Sequence, residues 1–196
     1  QWQLSANHEK STDQRLGFVN NFGSVGALRR DETGYVTSTD VGADLQYSAI
    51  PNLDLYSGFR LNQQKFVVND WFISGSNPDD SGQRKANHLN WASGANYQLN
   101  AEQSLHLSLG EGYESPTLAE MAYTKDAKGL NLDLKAAKAK QLQLGWKFKT
   151  KAIELSTDVF HINTDNELLI DQSIGGRTSY RNAAATQRIG AELAIN

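Results

Sequence analysis

The sequence lacks cysteine altogether and contains only three prolines and one methionine in 196 residues. Without cysteine the chain has no disulfide bond and no thiolate metal site, although this absence does not identify a compartment. No apolar run reaches the length of about 18 residues that a transmembrane helix requires. Neither sign of charge is in large excess, since the chain has 19 basic and 22 acidic residues. This balance indicates neither a nucleic-acid-binding surface nor an acidic tail, and we interpret Arg29-Arg30 as a solvated loop end.

What the sequence does contain is a repeated alternation of apolar and polar residues. Leu105, Leu107 and Leu109 alternate with His106 and Ser108, which predicts a β-strand with one face against an apolar medium and the other against water. A transmembrane β-strand needs only about 9–11 residues of this pattern, so the missing transmembrane helix does not exclude a membrane. The alternation therefore indicates an all-β protein.

We predict an antiparallel up-and-down meander of about eight strands, whose connections are alternately short and long. The short connections are predicted at residues 50–52, 100–102 and 150–151. The long ones are predicted at residues 10–36, with a short hairpin around 18–29, and at residues 69–85, 116–138 and 171–178. This sorting is typical of outer-membrane barrels, which have short periplasmic turns and long extracellular loops. A soluble β-sandwich is the alternative, but its turns do not sort this way and its strands are usually shorter.

Two hairpins have a register that the sequence predicts in detail, because each pair must lie on one face of the sheet. The first has the predicted pairs Ala49 with Leu53, Tyr47 with Leu55, and Gly42 with Arg60. The second has Phe148 with Ile153, Trp146 with Leu155, Lys147 with Glu154, and Gln143 with Asp158. The opposite charges of Lys147 and Glu154 favour the second register.

The polar face of the predicted strands indicates a large barrel. Its members are Asp44, Gln46, Arg60, His88, Asn96, His106, Gln143, Lys147, Glu154 and Asp158. An eight-stranded barrel has room only for its own side chains, and burying so many charges would require a complete pairing network. A wide or plugged lumen tolerates these charges. Since the pattern starts and stops within strands, we expect a fragment of a larger barrel.

Groups for catalysis are not evident. The four histidines are scattered and no cysteine accompanies them, so we expect no catalytic residue, no metal site, no cofactor and no enzyme activity. The predicted register places His88 near Glu114 at the long-loop rim. We interpret that pair as a cross-strand hydrogen bond.

Five segments together resemble one known family. Residues 112–123 are similar to the aromatic-x-x-Pro-Thr-x-x-Glu-x-x-Tyr segment of TonB-dependent outer-membrane receptors, and Asn131 to Lys135 to the Asn-x-x-Leu-Lys stretch that follows it there. Ala136 stands where that family usually has proline. Residues 163–167, 175–182 and 186–193 continue the resemblance in the same order. The sequences of residues 163–167 and 175–182 most resemble the branch of the family that takes up pyrroloquinoline quinone, whose members are often described as probable iron-transport receptors.

The resemblance implies a 22-stranded transmembrane β-barrel with an N-terminal plug domain, located in the outer membrane of a Gram-negative bacterium. Residues 1–196 would be a partial barrel from which the plug domain and the terminal strands are absent. The implied partners are a small anionic ligand, outer-membrane lipid and lipopolysaccharide, and the TonB complex through the missing plug. Nucleic acid is not among them.

The implied function is TonB-dependent uptake of a scarce nutrient, with pyrroloquinoline quinone as the predicted ligand and a ferric siderophore as the alternative. A quinone with three carboxylates and a flat ring system would be held by arginine forks and aromatic stacking. The predicted ligand-binding residues on the long-loop side are Tyr113, Arg177, Tyr180, Arg181 and Arg84. A passive porin-like channel is an alternative from another class, and a barrel enzyme would need converging catalytic groups that the sequence does not offer.

Overall fold

The structure is a computed structural model that describes residues 1–126 and 129–196. Within these ranges the chain forms ten β-strands and a single 3-10 turn at Glu120–Ala122. The strands are β1 Trp2–Asn21, β2 Ser24–Ile50, β3 Leu53–Asp70, β4 Gly82–Asn100, β5 Gln103–Glu114, β6 Ala137–Lys149, β7 Glu154–Asp165, β8 Leu168–Ile174, β9 Arg177–Asn182 and β10 Ala185–Ile195. None of the described helical segments has the length and apolarity needed to cross a membrane.

Eight of the strands form one antiparallel sheet in the order β1-β2-β3-β4-β5-β6-β7-β10. The predicted eight-stranded meander is therefore confirmed. Strands β8 and β9 form a separate two-stranded hairpin inserted between β7 and β10. The loop predicted at residues 171–178 is wrong, because β8 and β9 pair from Leu168 with Asn182 to Ile174 with Arg177. In the described residues β1 pairs with β2 and β10 pairs with β7, so the sheet stays open.

The two faces of the sheet differ as the alternation predicts. On the apolar face Phe59 is 49 % exposed, Leu107 39 % and Leu144 50 %. The other face carries a polar network, in which the Asp158 carboxylate accepts hydrogen bonds from His106 and Gln143, both at 2.8 Å. Soluble monomers rarely expose an apolar surface of this extent. The outer face therefore matches the lipid-facing wall of a transmembrane barrel, and the sandwich alternative is wrong.

The β2–β3 hairpin has most of its predicted register. Tyr47 pairs with Leu55 and Gly42 with Arg60. The predicted pair of Ala49 with Leu53 is wrong, because Ile50 pairs with Leu53 and a register shift lies between Ser48 and Ile50. Asn52 has a φ of 73°, a left-handed conformation that asparagine tolerates and that lets two residues complete the turn. Ala49 is left as a bulge.

The register of the β6–β7 hairpin is two residues away from the predicted one. Phe148 pairs with Leu155 and Trp146 with Thr157. The cause is Thr150, whose hydroxyl accepts hydrogen bonds from the backbone amides of Ala152 (3.2 Å) and Ile153 (3.1 Å) and so closes a longer turn. A shift of two residues keeps each side chain on its face. The predicted contacts of Lys147 with Glu154 (2.5 Å) and Gln143 with Asp158 (2.8 Å) therefore persist as diagonal neighbours.

The long connections contain more strand than the sequence predicts. The short hairpin predicted around 18–29 is present, with Phe22 and Gly23 as its turn. The rest of the predicted loop at 10–36 is wrong, because β1 and β2 stay paired along it. The loop predicted at 69–85 is restricted to 71–81. The loop predicted at 116–138 extends over 115–136, of which 127 and 128 lie outside the described residues. Alternation does not identify the outer parts of β1 and β2, since a strand beyond the lipid has no apolar face to maintain.

A small hydrophobic core forms where residues 115–126 and 129–136 fold onto the inner face of the sheet. Phe66 of β3, Met121 and Leu134 are 4 %, 1 % and 3 % exposed. The side chains packed around them are Val36, Leu118, Leu168 and Tyr180. The inner face is thus apolar at this end, which the sequence analysis did not foresee. We call residues 115–126 and 129–136 the roof.

The roof begins with a locally determined turn. Thr117 and Glu120 hydrogen bond reciprocally: the Glu120 carboxylate accepts from the Thr117 amide at 2.8 Å, and the Thr117 hydroxyl accepts from the Glu120 amide at 3.2 Å. This is the capping-box arrangement, and it leads directly into the 3-10 turn. Pro116 before it is fully buried. The Pro-Thr-x-x-Glu motif therefore has a structural reason in this chain.

Candidate functional site

Two of the predicted ligand-binding residues, Arg84 and Tyr180, lie in the contacts that hold the roof. The Arg84 guanidinium donates a hydrogen bond to the backbone oxygen of Leu134 and lies 3.9 Å from the Met121 sulfur. Tyr180 packs against the hydrophobic core. A role for either residue in ligand binding stays a prediction.

Tyr113 and Arg181 contact different parts of the chain. The Tyr113 ring stacks on His88, with ring centroids 3.8 Å apart and an interplanar angle of 18°. Among the described residues neither ring nitrogen of His88 has a hydrogen-bond partner, so the predicted hydrogen bond of His88 with Glu114 is wrong. Arg181 lies on the β8–β9 hairpin, where its guanidinium pairs with the Asp171 carboxylate at 3.3 Å. The structure therefore does not bring the five predicted residues into one site.

Arg177, the fifth predicted residue, lies in a cleft between the β1–β2 hairpin, the 71–81 loop and the roof. Its guanidinium is 5.3 Å from the centroid of the Tyr123 ring. Arg30 of β2 lies 4.8 Å from the same ring and also donates a hydrogen bond to the Tyr123 hydroxyl. We call this site the arginine cleft. Its charged and aromatic lining consists of Arg15, Arg29, Arg30, Glu32, Asp70, Asp80, Tyr123 and Arg177.

The cleft has more cationic than anionic groups. Four arginines and three carboxylates line it and leave one net positive charge. Arg30 pairs with Glu32 at 2.6 Å, and both side chains are largely buried. Asp70 accepts hydrogen bonds from the backbone amides of Phe72 (2.9 Å) and Asp80 (3.2 Å), which orders the 71–81 loop beside the arginines.

The surroundings of Asp80 in the cleft shift the pKa of its carboxyl group. Burial, followed by the negative charges of Asp70 and Glu32, raises the pKa of Asp80 above its usual value, while Arg30 acts in the opposite direction. The neighbouring Asp79 behaves oppositely, because hydrogen bonds from Ser81 lower its pKa. Two adjacent carboxylates thus have different protonation behaviour in the same loop.

Planar guanidinium groups around an aromatic ring are suited to carboxylates and flat conjugated molecules. A guanidinium offers a fork of donors that matches a carboxylate, and it also stacks on rings. Across residues 1–126 and 129–196, no three His, Cys, Asp or Glu side chains converge as a metal site. The geometry of the cleft therefore favours an anionic organic ligand.

Arg30 and Tyr123 are not among the predicted ligand-binding residues. The interpretation of Arg29-Arg30 as a solvated loop end is wrong for Arg30, because its side chain is only 16 % exposed and is paired with Glu32. Tyr123 is the last residue of the aromatic-x-x-Pro-Thr-x-x-Glu-x-x-Tyr segment, and this position is the sequence signal that could have identified it as a site residue. No signal in the sequence connects it with Arg30, because the two meet only after the roof has folded.

Three solved structures have a similar fold. The ferric citrate transporter FecA matches with a TM-score of 0.77 and 14 % identity over 99 % of this chain and 28 % of its own. The copper transporter OprC matches with 0.75 and 15 % over 99 % and 32 %. The ferric yersiniabactin uptake receptor FyuA from Yersinia pestis matches with 0.69 and 19 % over 99 % and 29 %. This chain thus spans about a third of the length of these structures.

Identities this low establish the fold alone, and the family follows from a separate match. The family model described as TonB dependent receptor-like, beta-barrel covers residues 1–196 of the sequence. It agrees with the two-faced meander and with the long-loop end on which the roof and the arginine cleft are built. The chain therefore belongs to the TonB-dependent receptor-like β-barrel family.

Proposed function

We propose that this chain forms part of the barrel wall of a receptor in the outer membrane of a Gram-negative bacterium, and that the receptor takes up a small anionic ligand with energy delivered through TonB. The role is transport and not catalysis. The observation that carries the proposal is the Tyr123 ring lying 4.8 Å from the Arg30 guanidinium and 5.3 Å from that of Arg177 at the long-loop end. Three separate parts of the chain contribute to this arrangement.

The ligand that the sequence favours is pyrroloquinoline quinone, and a ferric siderophore is the alternative. The quinone has three carboxylates and a flat ring system, which suit the guanidinium forks and the aromatic ring of the arginine cleft. The similar structures named for ferric citrate and ferric yersiniabactin support the iron alternative. Both ligand types are anionic, so the net positive charge of the cleft favours either one.

Titration of the intact receptor tests this proposal. Pyrroloquinoline quinone and ferric citrate would each be titrated into the wild type and into the R30A/R177A variant. Since a hydrogen bond to a charged group contributes about 1.5–3 kcal/mol, we expect the double variant to bind about 10- to 100-fold more weakly. The matched control is R188A, whose guanidinium pairs with the Glu167 carboxylate and does not line the cleft. Unchanged affinity for both ligands in R30A/R177A would exclude the cleft.

A second measurement tests the energy source. Uptake of the bound ligand by whole cells should stop when TonB is removed, while binding to the purified receptor persists. A passive channel would instead continue to admit the solute. This measurement separates active transport from a porin-like function without relying on any residue assignment.

A further inference from the structure

Two asparagines connect the roof to the β8–β9 hairpin in opposite directions. The Asn182 side chain at the end of β9 donates to the Lys135 backbone oxygen at 2.8 Å and accepts from the Lys135 amide at 2.8 Å. In return, the Asn131 side chain in the roof donates to the Tyr180 backbone oxygen at 3.0 Å. We call these contacts the asparagine clasp.

Asn182 uses both its amide hydrogens and its amide oxygen. Its nitrogen also donates to the Asn166 backbone oxygen at 2.8 Å, so both amide hydrogens and the oxygen have partners. The backbone of Lys135 is thus bound through both its amide and its carbonyl, as it would be by a neighbouring strand. Aspartate cannot reproduce this pattern, because a carboxylate accepts hydrogen bonds and does not donate them when ionised.

The clasp adjoins the apolar contact between the same two segments. Tyr180 packs with Met121 and Leu134 in the hydrophobic core. Apolar contact is non-directional and would allow the segments to slide, whereas hydrogen bonds need defined distances and angles. The clasp therefore supplies the register that the core alone does not.

The relative placement of these segments determines the arginine cleft. Tyr123 lies on the roof, and Arg177 begins β9, three residues before Tyr180. We propose that Asn131 and Asn182 are positioning residues, which hold the roof and the β8–β9 hairpin in the one arrangement that sets Arg177 over the Tyr123 ring. Their effect on ligand affinity rests on the proposed function, but their effect on the distance between the segments does not.

Pulsed electron paramagnetic resonance on the intact, ligand-free receptor tests the clasp. Residues 1–196 contain no cysteine, so no native thiol in this part of the receptor competes with K125C and I174C for the spin labels. Both labelled positions are exposed, one on each of the two segments. We expect a narrow distance distribution in the otherwise wild-type protein and a broader one in N131L/N182L, which keeps side-chain volume but removes the hydrogen bonds. N182D is measured as well, because it retains the acceptor and avoids a new apolar side chain. The matched control is N87L, which removes an asparagine that accepts one hydrogen bond from Gln63 on the strands.

A distribution as narrow in N182D and N131L/N182L as in the wild type would overturn the clasp. Titration with pyrroloquinoline quinone and ferric citrate then separates this proposal from the previous one. A broader distance distribution together with a loss of ligand affinity of about fivefold or more supports both the clasp and the cleft. A loss of this size is what losing one or two net hydrogen bonds produces. Broadening with unchanged affinity supports the clasp and counts against the cleft as the ligand site.

Discussion

Arg30 and Tyr123 are 93 positions apart in the chain, yet the Arg30 guanidinium donates a hydrogen bond to the Tyr123 hydroxyl and lies 4.8 Å from the ring centroid. The same arginine pairs with Glu32 at 2.6 Å. Arg30 thus joins an acidic group, an aromatic ring and the roof. These contacts order the lining of the cleft.

Tyr123→Phe and Tyr123→Ala should separate the two contributions of this residue. The phenylalanine variant loses the hydroxyl bonded to Arg30 but keeps the ring, so we expect ligand affinity to fall about two- to fivefold, as for a single net hydrogen bond. The alanine variant also loses the stacking surface and should bind about tenfold more weakly or worse. Calorimetric titration of the intact receptor measures both. Equal affinities in the two variants would show that the ring does not contact the ligand.

Binding should strengthen as the pH falls through the pKa of Asp80. This pKa is raised above its usual value, mainly by burial and then by Asp70 and Glu32. Below it Asp80 is neutral and the cleft has one more net positive charge, while above it the ionised carboxylate repels an anion. Asp80→Asn should therefore increase affinity at neutral pH and remove this part of the pH dependence.

The control for Asp80 is the adjacent Asp79→Asn. Hydrogen bonds from Ser81 lower the pKa of Asp79, so Asp79 stays ionised over the range in which Asp80 titrates. The pH profile of the ligand affinity in this variant should match that of the wild type. The ligand's own carboxylates titrate equally in every variant. Only the difference between the pH profiles of the wild type and D80N therefore reports on Asp80. Identical profiles in wild type and D80N would contradict the prediction.

The large-scale features of this fold follow from side-chain periodicity. Whether a residue such as Leu144 or Gln143 faces outward depends only on alternation along its own strand, which one sequence contains in full. Registers depend in addition on turn chemistry. The β6–β7 hairpin differs from its predicted register because the Thr150 hydroxyl, and not the strand pattern, determines the length of the turn.

The site was less accessible to prediction because it is built from segments distant in sequence. Arg177 was selected by its side-chain type and its loop position, and it does lie in the cleft. Its neighbours Arg30 and Tyr123 depend on the roof folding inward onto Phe66, a contact that periodicity does not encode. Alternation also predicted a polar inner face, whereas the roof makes that face apolar beside the cleft.

Gly34→Ala should loosen the roof. A Cβ at Gly34 would lie 2.6 Å from the Leu118 Cδ1, so the Leu118 side chain must move. Because it packs on the core of Phe66, Met121 and Leu134, we expect faster amide hydrogen exchange over residues 117–122. The control is Gly75→Ala, where no atom lies within 4 Å of the added Cβ. Equal exchange in both variants would show that the roof does not depend on this close packing.

Arginine substitutions at two adjacent residues of β6 test the orientation of the whole sheet. Leu144 is 50 % exposed on the apolar face, and an arginine facing lipid near the bilayer midplane costs about 2–4 kcal/mol. Leu144→Arg should therefore lower the unfolding free energy of the intact receptor in phospholipid vesicles by roughly that amount. Gln143 lies on the opposite face, where its side chain donates to the Asp158 carboxylate at 2.8 Å.

An arginine at position 143 can pair with the Asp158 carboxylate. Gln143→Arg should therefore lower the unfolding free energy by well under half as much as Leu144→Arg. The two variants add the same side chain one residue apart, and their difference depends on which medium each face meets. If Gln143→Arg proved the more destabilising of the two, the apolar residues of the sheet would face away from lipid. The face of the sheet that supports the roof and the arginine cleft would then be the one that meets lipid.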